Sequence, residues 1–235
     1  MVLLEIKSIY SGYGDMEILH GVSMELHHDE IVTIIGPNAS GKSTLLKTIM
    51  GYLIPTKGKI RFNGADVTHL RPDEKARVGI GYVPQLENVF PPLTVTESLD
   101  MGAYTMPRHG LKERIEEIFD LFPVLRVKRK EKASALSGGQ RQMLAMAQAL
   151  MTGPNLLLLD EPSAGLAPNT RIDVFKKIQE IHHMGSAIII VEQDAYQSLR
   201  ISNRCYILVM GQKEHEAPAD RILEDERIKK AYLGG

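Results

Sequence analysis

The chain has 235 residues, long for one simple domain and short for two, and its 28 Lys and Arg nearly balance 29 Asp and Glu for a formal net charge of -1. That balance excludes a global attraction to nucleic acid or anionic lipid, so any such partner must meet a local patch. The single cysteine, Cys205, excludes an intramolecular disulfide, the opening residues lack a secretory signal, which points to the cytoplasm, and every apolar run falls short of the roughly 20 residues that cross a bilayer.

The first segment, "LEIKSIYSGYGDMEILHGVSMEL", mixes alternation with glycine turns and predicts antiparallel strands. "IVTII" (31–35) is continuously apolar, as a strand covered on both faces should be, and "STLLKTIM" after it is helical in pattern. "GKIRFNGADV" extends the antiparallel part through an Asn63-Gly64 turn. Between Gln85 and Leu136 apolar residues recur at helical spacing, with Pro91-Pro92 and "RVKRKEKA" as connectors at its two ends. "LLLLD" (156–160) and "AIIIVE" (187–192) repeat the buried-strand signature, and the polar tail "APADRILEDERIKKAYLGG" predicts surface helix. The expectation is an α/β fold: a mainly parallel sheet, antiparallel strands beside it and an inserted helical subdomain.

"GPNASGKST" matches G-x-x-x-x-G-K-[ST] between a predicted strand and a predicted helix. In such a loop the backbone N–H groups of Gly36, Pro37, Asn38, Ala39, Ser40, Gly41, Lys42, Ser43 and Thr44, where present, surround an anion. Lys42 reaches terminal phosphates and Ser43 can ligate Mg2+. "LLLLDEP" places Asp160 and Glu161 at the carboxyl edge of the sheet, where ligands of open α/β folds bind. Asp160 would hold Mg2+ and Glu161 would orient or deprotonate the attacking water. In "LSGGQRQMLAMAQALM" Ser137 and Gln140 form a capping box ahead of a helix whose Leu144, Ala147 and Met151 face the core. Gly138-Gly139 is costly at a helix start unless a ligand approaches the backbone.

With these motifs in this order, nearly the whole chain resembles the nucleotide-binding subunits of ATP-binding cassette (ABC) transporters. The resemblance implies a P-loop NTPase (RecA-like) core with an antiparallel β subdomain over 1–85 and 155–235, and a helical insert over 86–154. It makes "GPNASGKST" the Walker A loop, Gln85 the Q-loop glutamine and a metal ligand, Ser137, Gly138, Gly139 and Gln140 the signature, "LLLLDE" Walker B and "SAGLAP" the D-loop. Tyr13 matches the aromatic residue that stacks on adenine. ATP and Mg2+ are the implied cofactors, hydrolysed in a head-to-tail dimer in which each ATP lies between one Walker A loop and the partner's signature. The implied partners are membrane permease subunits, a second and unlike ATPase and, indirectly, an external substrate-binding protein, with no nucleic acid and a location on the cytoplasmic face of the membrane.

Four positions in three motifs depart from the family pattern. Ala39 and Ser40 replace Gly-Ala, at a cost of about 1 kcal/mol if position 39 takes a positive φ. Ala167 stands where the D-loop commonly has aspartate. Gln193 stands where most relatives have the switch histidine; an amide can donate a hydrogen bond but carries no proton or charge near neutral pH, so slower hydrolysis is expected. The non-histidine switch, "SAGLAP" and "KKAYLGG" resemble the smaller ATPase of branched-chain amino acid importers. An ATPase for another cargo or for export, a soluble cassette ATPase and a nucleotide-gated module that barely hydrolyses ATP stay open as alternatives. Phe90 and the prolines after it fall where coupling helices dock in this family. His27-His28 and His182-His183 do not share a face and predict surface histidines, not a metal site.

Overall fold

A computed structural model describes residues 1–86, 88–107, 109–193 and 195–233. The end of the "KKAYLGG" motif lies outside the described residues. The strands are β1 (Val2–Tyr13), β2 (Met16–His27), β3 (Ile31–Ile35), β4 (Lys57–Phe62), β5 (Ala65–Asp66), β6 (Ile80–Val83), β7 (Leu156–Asp160), β8 (Ala187–Val191), β9 (Arg204–Val209) and β10 (Gln212–Pro218). The main helices are α1 (Lys42–Met50), α2 (Pro72–Arg77), α3 (Val95–Gly102), α4 (Leu111–Leu121), α5 (Pro123–Val127), α6 (Gly138–Leu150), α7 (Pro168–His183), α8 (Tyr196–Ile201) and α9 (Ala219–Glu224). Among the described residues no helix is long and apolar enough to cross a membrane.

Two sheets form. A four-stranded antiparallel sheet runs β2-β1-β4-β5, and a six-stranded sheet runs β10-β9-β3-β8-β7-β6, parallel except for the edge strand β10. Asn63 (φ 48) and Gly64 (φ 78) turn β4 into β5 with two successive left-handed residues, the geometry an Asn-Gly hairpin favours. The continuous apolar runs explain themselves once both faces of the larger sheet are covered. Leu157 and Leu159 pack with α3 to α7, while Leu156 and Leu158 pack with β1, β2 and α1. Each such fully buried leucine contributes about 1.5–3 kcal/mol relative to exposure.

Helix α1 is held at its far end by a residue the sequence did not flag. Lys75 of α2 is fully buried and its Nζ donates to Ile49 O at 2.7 Å, placing a cation where the helix dipole ends in bare carbonyls. Burial pushes its ammonium down to about 8. The connector "RVKRKEKA" is also tied in: Arg129 O and Glu131 O accept the N–H groups of Thr96 and Val95 at the start of α3.

The tail corrects an expectation. It begins inside β10, and Ala219 and Ile222 of α9 are buried against Ile35, Leu199, Cys205 and Ile207, with Tyr232 packed on the same cluster. A single apolar stripe on a short helix is enough to bury it, and the polar composition hid that stripe.

Candidate active site

The phosphate loop joins β3 to α1, and its glycines have packing reasons. A Cβ on Gly36 would lie 2.0 Å from Leu208 O of β9, and one on Gly41 (φ 100) would lie 2.8 Å from Leu19 Cδ2. Ala39 does adopt a left-handed φ of 60, so its strain of about 1 kcal/mol is present. Lys42 is buried, and its Nζ donates to Gly36 O and Pro37 O, both at 2.9 Å. Burial holds its ammonium below the usual lysine range, against the raising fields of Glu161, Asp160 and Glu192. The neighbouring Ser40 hydroxyl is buried without a hydrogen-bond partner. A desolvated cation, an unsatisfied hydroxyl and the free N–H groups of a helix start fit the terminal phosphates of a nucleotide.

Across the cleft, Asp160 ends β7. Ser43 Oγ donates to its Oδ1 at 2.8 Å and Tyr82 OH to its Oδ2 at 3.2 Å, over sequence separations of 117 and 78 residues. Burial raises the Asp160 carboxyl, and the two hydroxyls counter it. Ser43 and Asp160 together are hard oxygen donors suited to Mg2+. Gln85, expected on the metal, donates its Nε2 to Glu161 Oε2 at 2.7 Å, which leaves the amide oxygen as the atom that would meet a cation. Ser43, Asp160 and Gln85 still line one cavity of about 500 Å³, together with Tyr13, Lys47, Tyr52 and Tyr82. Tyr13 is half exposed, with Lys47 Nζ 5.6 Å from its ring centre, so a flat apolar face borders that cavity.

Glu161 follows with φ 46, a left-handed value that costs a residue with a Cβ about 1–2 kcal/mol. Its N–H is fixed to Val191 O at 2.9 Å. Its carboxyl, raised by burial and lowered by Lys42, lines a second cavity of about 500 Å³ with Gly36, Asn38, Glu192 and Gln193. Strain at a non-glycine residue in a cleft points to function, and here it aims a carboxylate at the phosphate loop.

The signature residues are placed elsewhere. None of Ser137, Gly138, Gly139 and Gln140 lines either cavity. The capping box is present: Ser137 Oγ accepts from Gln140 N at 3.3 Å and Gln140 Oε1 accepts from Ser137 N at 3.1 Å. The glycine pair divides into two cases. A Cβ on buried Gly139 would lie 2.2 Å from Thr170 Cγ2, so a side chain there would displace Thr170 or α7, whereas exposed Gly138 meets only Leu166 Cδ2 at 3.3 Å. Ala167 leaves α7 without a side-chain cap.

Tyr82, Glu192, Ser163, Arg171 and Tyr232 also line the two cavities, and the sequence motifs assign none of them to the site. Tyr82 lies three residues before the Q-loop glutamine Gln85. Tyr232, the tyrosine of "KKAYLGG", reaches the cleft from the tail, where it donates to Glu214 Oε2 at 3.0 Å.

The ABC transporter family profile matches residues 19–164, which include the phosphate loop, the signature and the paired carboxylates. The chain belongs to the ABC transporter family. It is 40% identical over 233 residues to the probable branched-chain amino acid transport ATP-binding protein LivF of Archaeoglobus fulgidus, covering 99% of each chain. The high-affinity branched-chain amino acid transport ATP-binding protein BraG of Pseudomonas aeruginosa is 38% identical, over 99% of this chain and 100% of BraG. The lipopolysaccharide export system ATP-binding protein LptB of Haemophilus influenzae is 31% identical, over 100% and 98%. Among solved structures, the ADP conformation of an ABC transporter cassette superposes with a TM-score of 0.90 at 29% identity over 100% of both chains. This ABC cassette is thus a nucleotide-binding ATPase that works as a transporter subunit, with the P-loop fold the motifs implied.

Proposed function

We propose that this cassette powers a branched-chain amino acid importer as one of two unlike ATPase subunits. The observation that carries the cargo is the near full-length identity of 40% and 38% to two branched-chain amino acid transport ATPases, against 31% to LptB. An export ATPase is the second reading, favoured by that LptB likeness alone.

In this proposal Lys42 and the loop N–H groups bind the β- and γ-phosphates of ATP, and Tyr13 stacks on the base. Ser43, Asp160 and the Gln85 amide oxygen hold Mg2+, which when bound neutralises phosphoryl oxygens and so lets a weak nucleophile approach. Glu161 then orients water and accepts its proton, with Gln193, which lines the same cavity, donating to the γ-phosphate. Ser137, Gly138, Gly139 and Gln140 act on ATP bound to the other subunit. The dimeric post-hydrolysis state of a cassette at 26% identity, bound to ADP and Pi, supports pairing. Segment 86–154 would form the helical insert on a core of 1–85 and 155–235. Permease subunits would dock at the groove where Phe90, Tyr104 and Met101 are exposed, on the cytoplasmic face of the membrane. A substrate-binding protein outside would act only through the permease.

The test is uptake into proteoliposomes that carry the cassette, its unlike ATPase and both permease subunits, with the substrate-binding protein supplied outside. Leucine uptake driven by internal Mg-ATP, lost with Glu161→Gln while an ATP-stabilised dimer accumulates, is the expected result. Uptake that persists with Glu161→Gln removes Glu161 from its role. Robust ATP turnover with no branched-chain amino acid moved in either direction removes the cargo.

A further inference from the structure

Glu192 is a carboxylic acid only 2% exposed, in the wall of the catalytic cleft between Val191 at the end of β8 and Gln193. Its Oε1 accepts the backbone N–H of Ser163 at 3.0 Å, across 29 residues of sequence. Ser163 opens the D-loop two residues after Glu161 and is itself buried. The loop is a closed turn: Ala164 N donates to Glu161 O at 3.1 Å and Leu166 N to Ser163 O at 3.2 Å. Its other end is tied to α7, where Arg171 Nε donates to Leu166 O at 2.9 Å. Between these two anchors Ala164 and Gly165 are exposed. The anchor nearer the reacting carboxylate is therefore a single side chain.

We propose that Glu192 is a positioning residue, a latch that holds the D-loop to the end of β8 and thereby fixes the strained backbone turn from which Glu161 reaches the cleft. This role rests on the proposed role of Glu161. Two carbonyl and carboxyl contacts support the turn from the same strand end: Val191 O holds the N–H of Glu161, and Glu192 holds the N–H two residues on. Removing the second leaves a buried N–H unsatisfied and the turn held to this strand end by Val191 O alone.

The latch also titrates in a useful range. Burial pushes the Glu192 carboxyl up to about 7, the Ser163 bonds act against that rise and Glu161 adds to it. The charged or titratable groups around it are Glu161 after β7, Lys42 of α1, Arg171 of α7 and Tyr232 of the tail. Because its folded value lies above the ordinary 4.5, the native state holds the extra proton between about pH 4.5 and 7, and its contribution to stability falls as pH rises through that window. Glutamine keeps the accepting oxygen and removes the titration.

The experiment compares wild type, Glu192→Ala and Glu192→Gln by amide hydrogen exchange of the nucleotide-free protein, pH-dependent melting and Mg-ATP turnover of the assembled complex. Glu192→Ala is expected to speed exchange at Ser163 and Ala164 about tenfold or more and to lower kcat about tenfold, with KM for ATP little changed. Glu192→Gln is expected to keep exchange within about twofold of wild type and to flatten the fall in melting temperature between pH 5 and 7. Wild-type exchange in Glu192→Ala overturns the latch. So does exchange in Glu192→Gln as fast as in Glu192→Ala, since an acceptor of the same shape would then not suffice. Full turnover by Glu161→Gln would instead remove the Glu161 role, and the exchange result would still decide the Glu192 contact.

Discussion

The phosphate-loop cleft and the signature turn are two halves of one nucleotide machinery, yet they are built in opposite ways. In the cleft, Lys42, Ser43, Asp160 and Glu161 come from two segments far apart in sequence. They converge because β3 and β7 run parallel in one sheet and end on the same edge. Their polar atoms are matched across long separations, Ser43 and Tyr82 on Asp160 and Gln85 on Glu161. The signature is local. Its capping bonds close within four residues, and Ser137 and Gly138 face out of the chain. The fold alone assembles the first half, whereas the second is a prepared helix end whose ligand, in the proposed dimer, belongs to another subunit.

The largest effect that separates the two halves is expected from Lys42→Ala. It removes the buried ammonium from the loop, and loss of one charged phosphate contact should weaken ATP binding by about 3–4 kcal/mol, a factor of several hundred. Equilibrium titration of the isolated subunit with ATP reads this directly. Substitutions in Ser137 to Gln140 should leave that monomer affinity within about threefold, because none of them lines the cleft. A signature variant that weakens monomer binding as much as Lys42→Ala would erase the distinction.

The same contrast explains what could be seen in the sequence. Strands β3, β7 and β8 were legible to within a residue because burial on both faces leaves a continuous apolar run, and the capping box was legible because it closes locally. The run Cys205–Val209 of β9 carries the same continuous apolar signal. Gln85 on Glu161, Glu192 on Ser163 and Lys75 on Ile49 were invisible, since each joins residues brought together only by tertiary packing. Gly139 was legible as a constraint but not for its cause: the nearby Thr170 is set by how α7 crosses α6, and no local pattern encodes that crossing.

Gly139 gives the next sharpest division. Gly139→Ala places a methyl 2.2 Å from Thr170 Cγ2, and relief requires a shift of α7 or a rotamer change of Thr170. Overpacking of this kind should cost about 1–3 kcal/mol in urea unfolding. Gly138→Ala meets its nearest neighbour at 3.3 Å and should change stability by less than about 0.5 kcal/mol. In the proposed dimer it should nevertheless lower cooperative ATP turnover, since it thickens a backbone that must approach a phosphate. Equal stabilities for the two variants would show that α7 yields freely, and Gly139 would then need a ligand-based reason.

Ser137 carries the smallest expected effect and the finest test. Its hydroxyl accepts from Gln140 N, so Ser137→Ala should cost about 1 kcal/mol of stability through the lost cap. Asparagine caps as well as serine, so Ser137→Asn should recover that stability. If capping is all that Ser137 does, turnover of the assembled complex recovers with it. If the hydroxyl also meets a phosphate held by the partner, asparagine restores the melting temperature and leaves turnover low, because a larger amide occupies the space the phosphate needs. Recovery of both would confine Ser137 to a local helix signal and shift the ligand contact of this helix end onto the exposed backbone of Gly138.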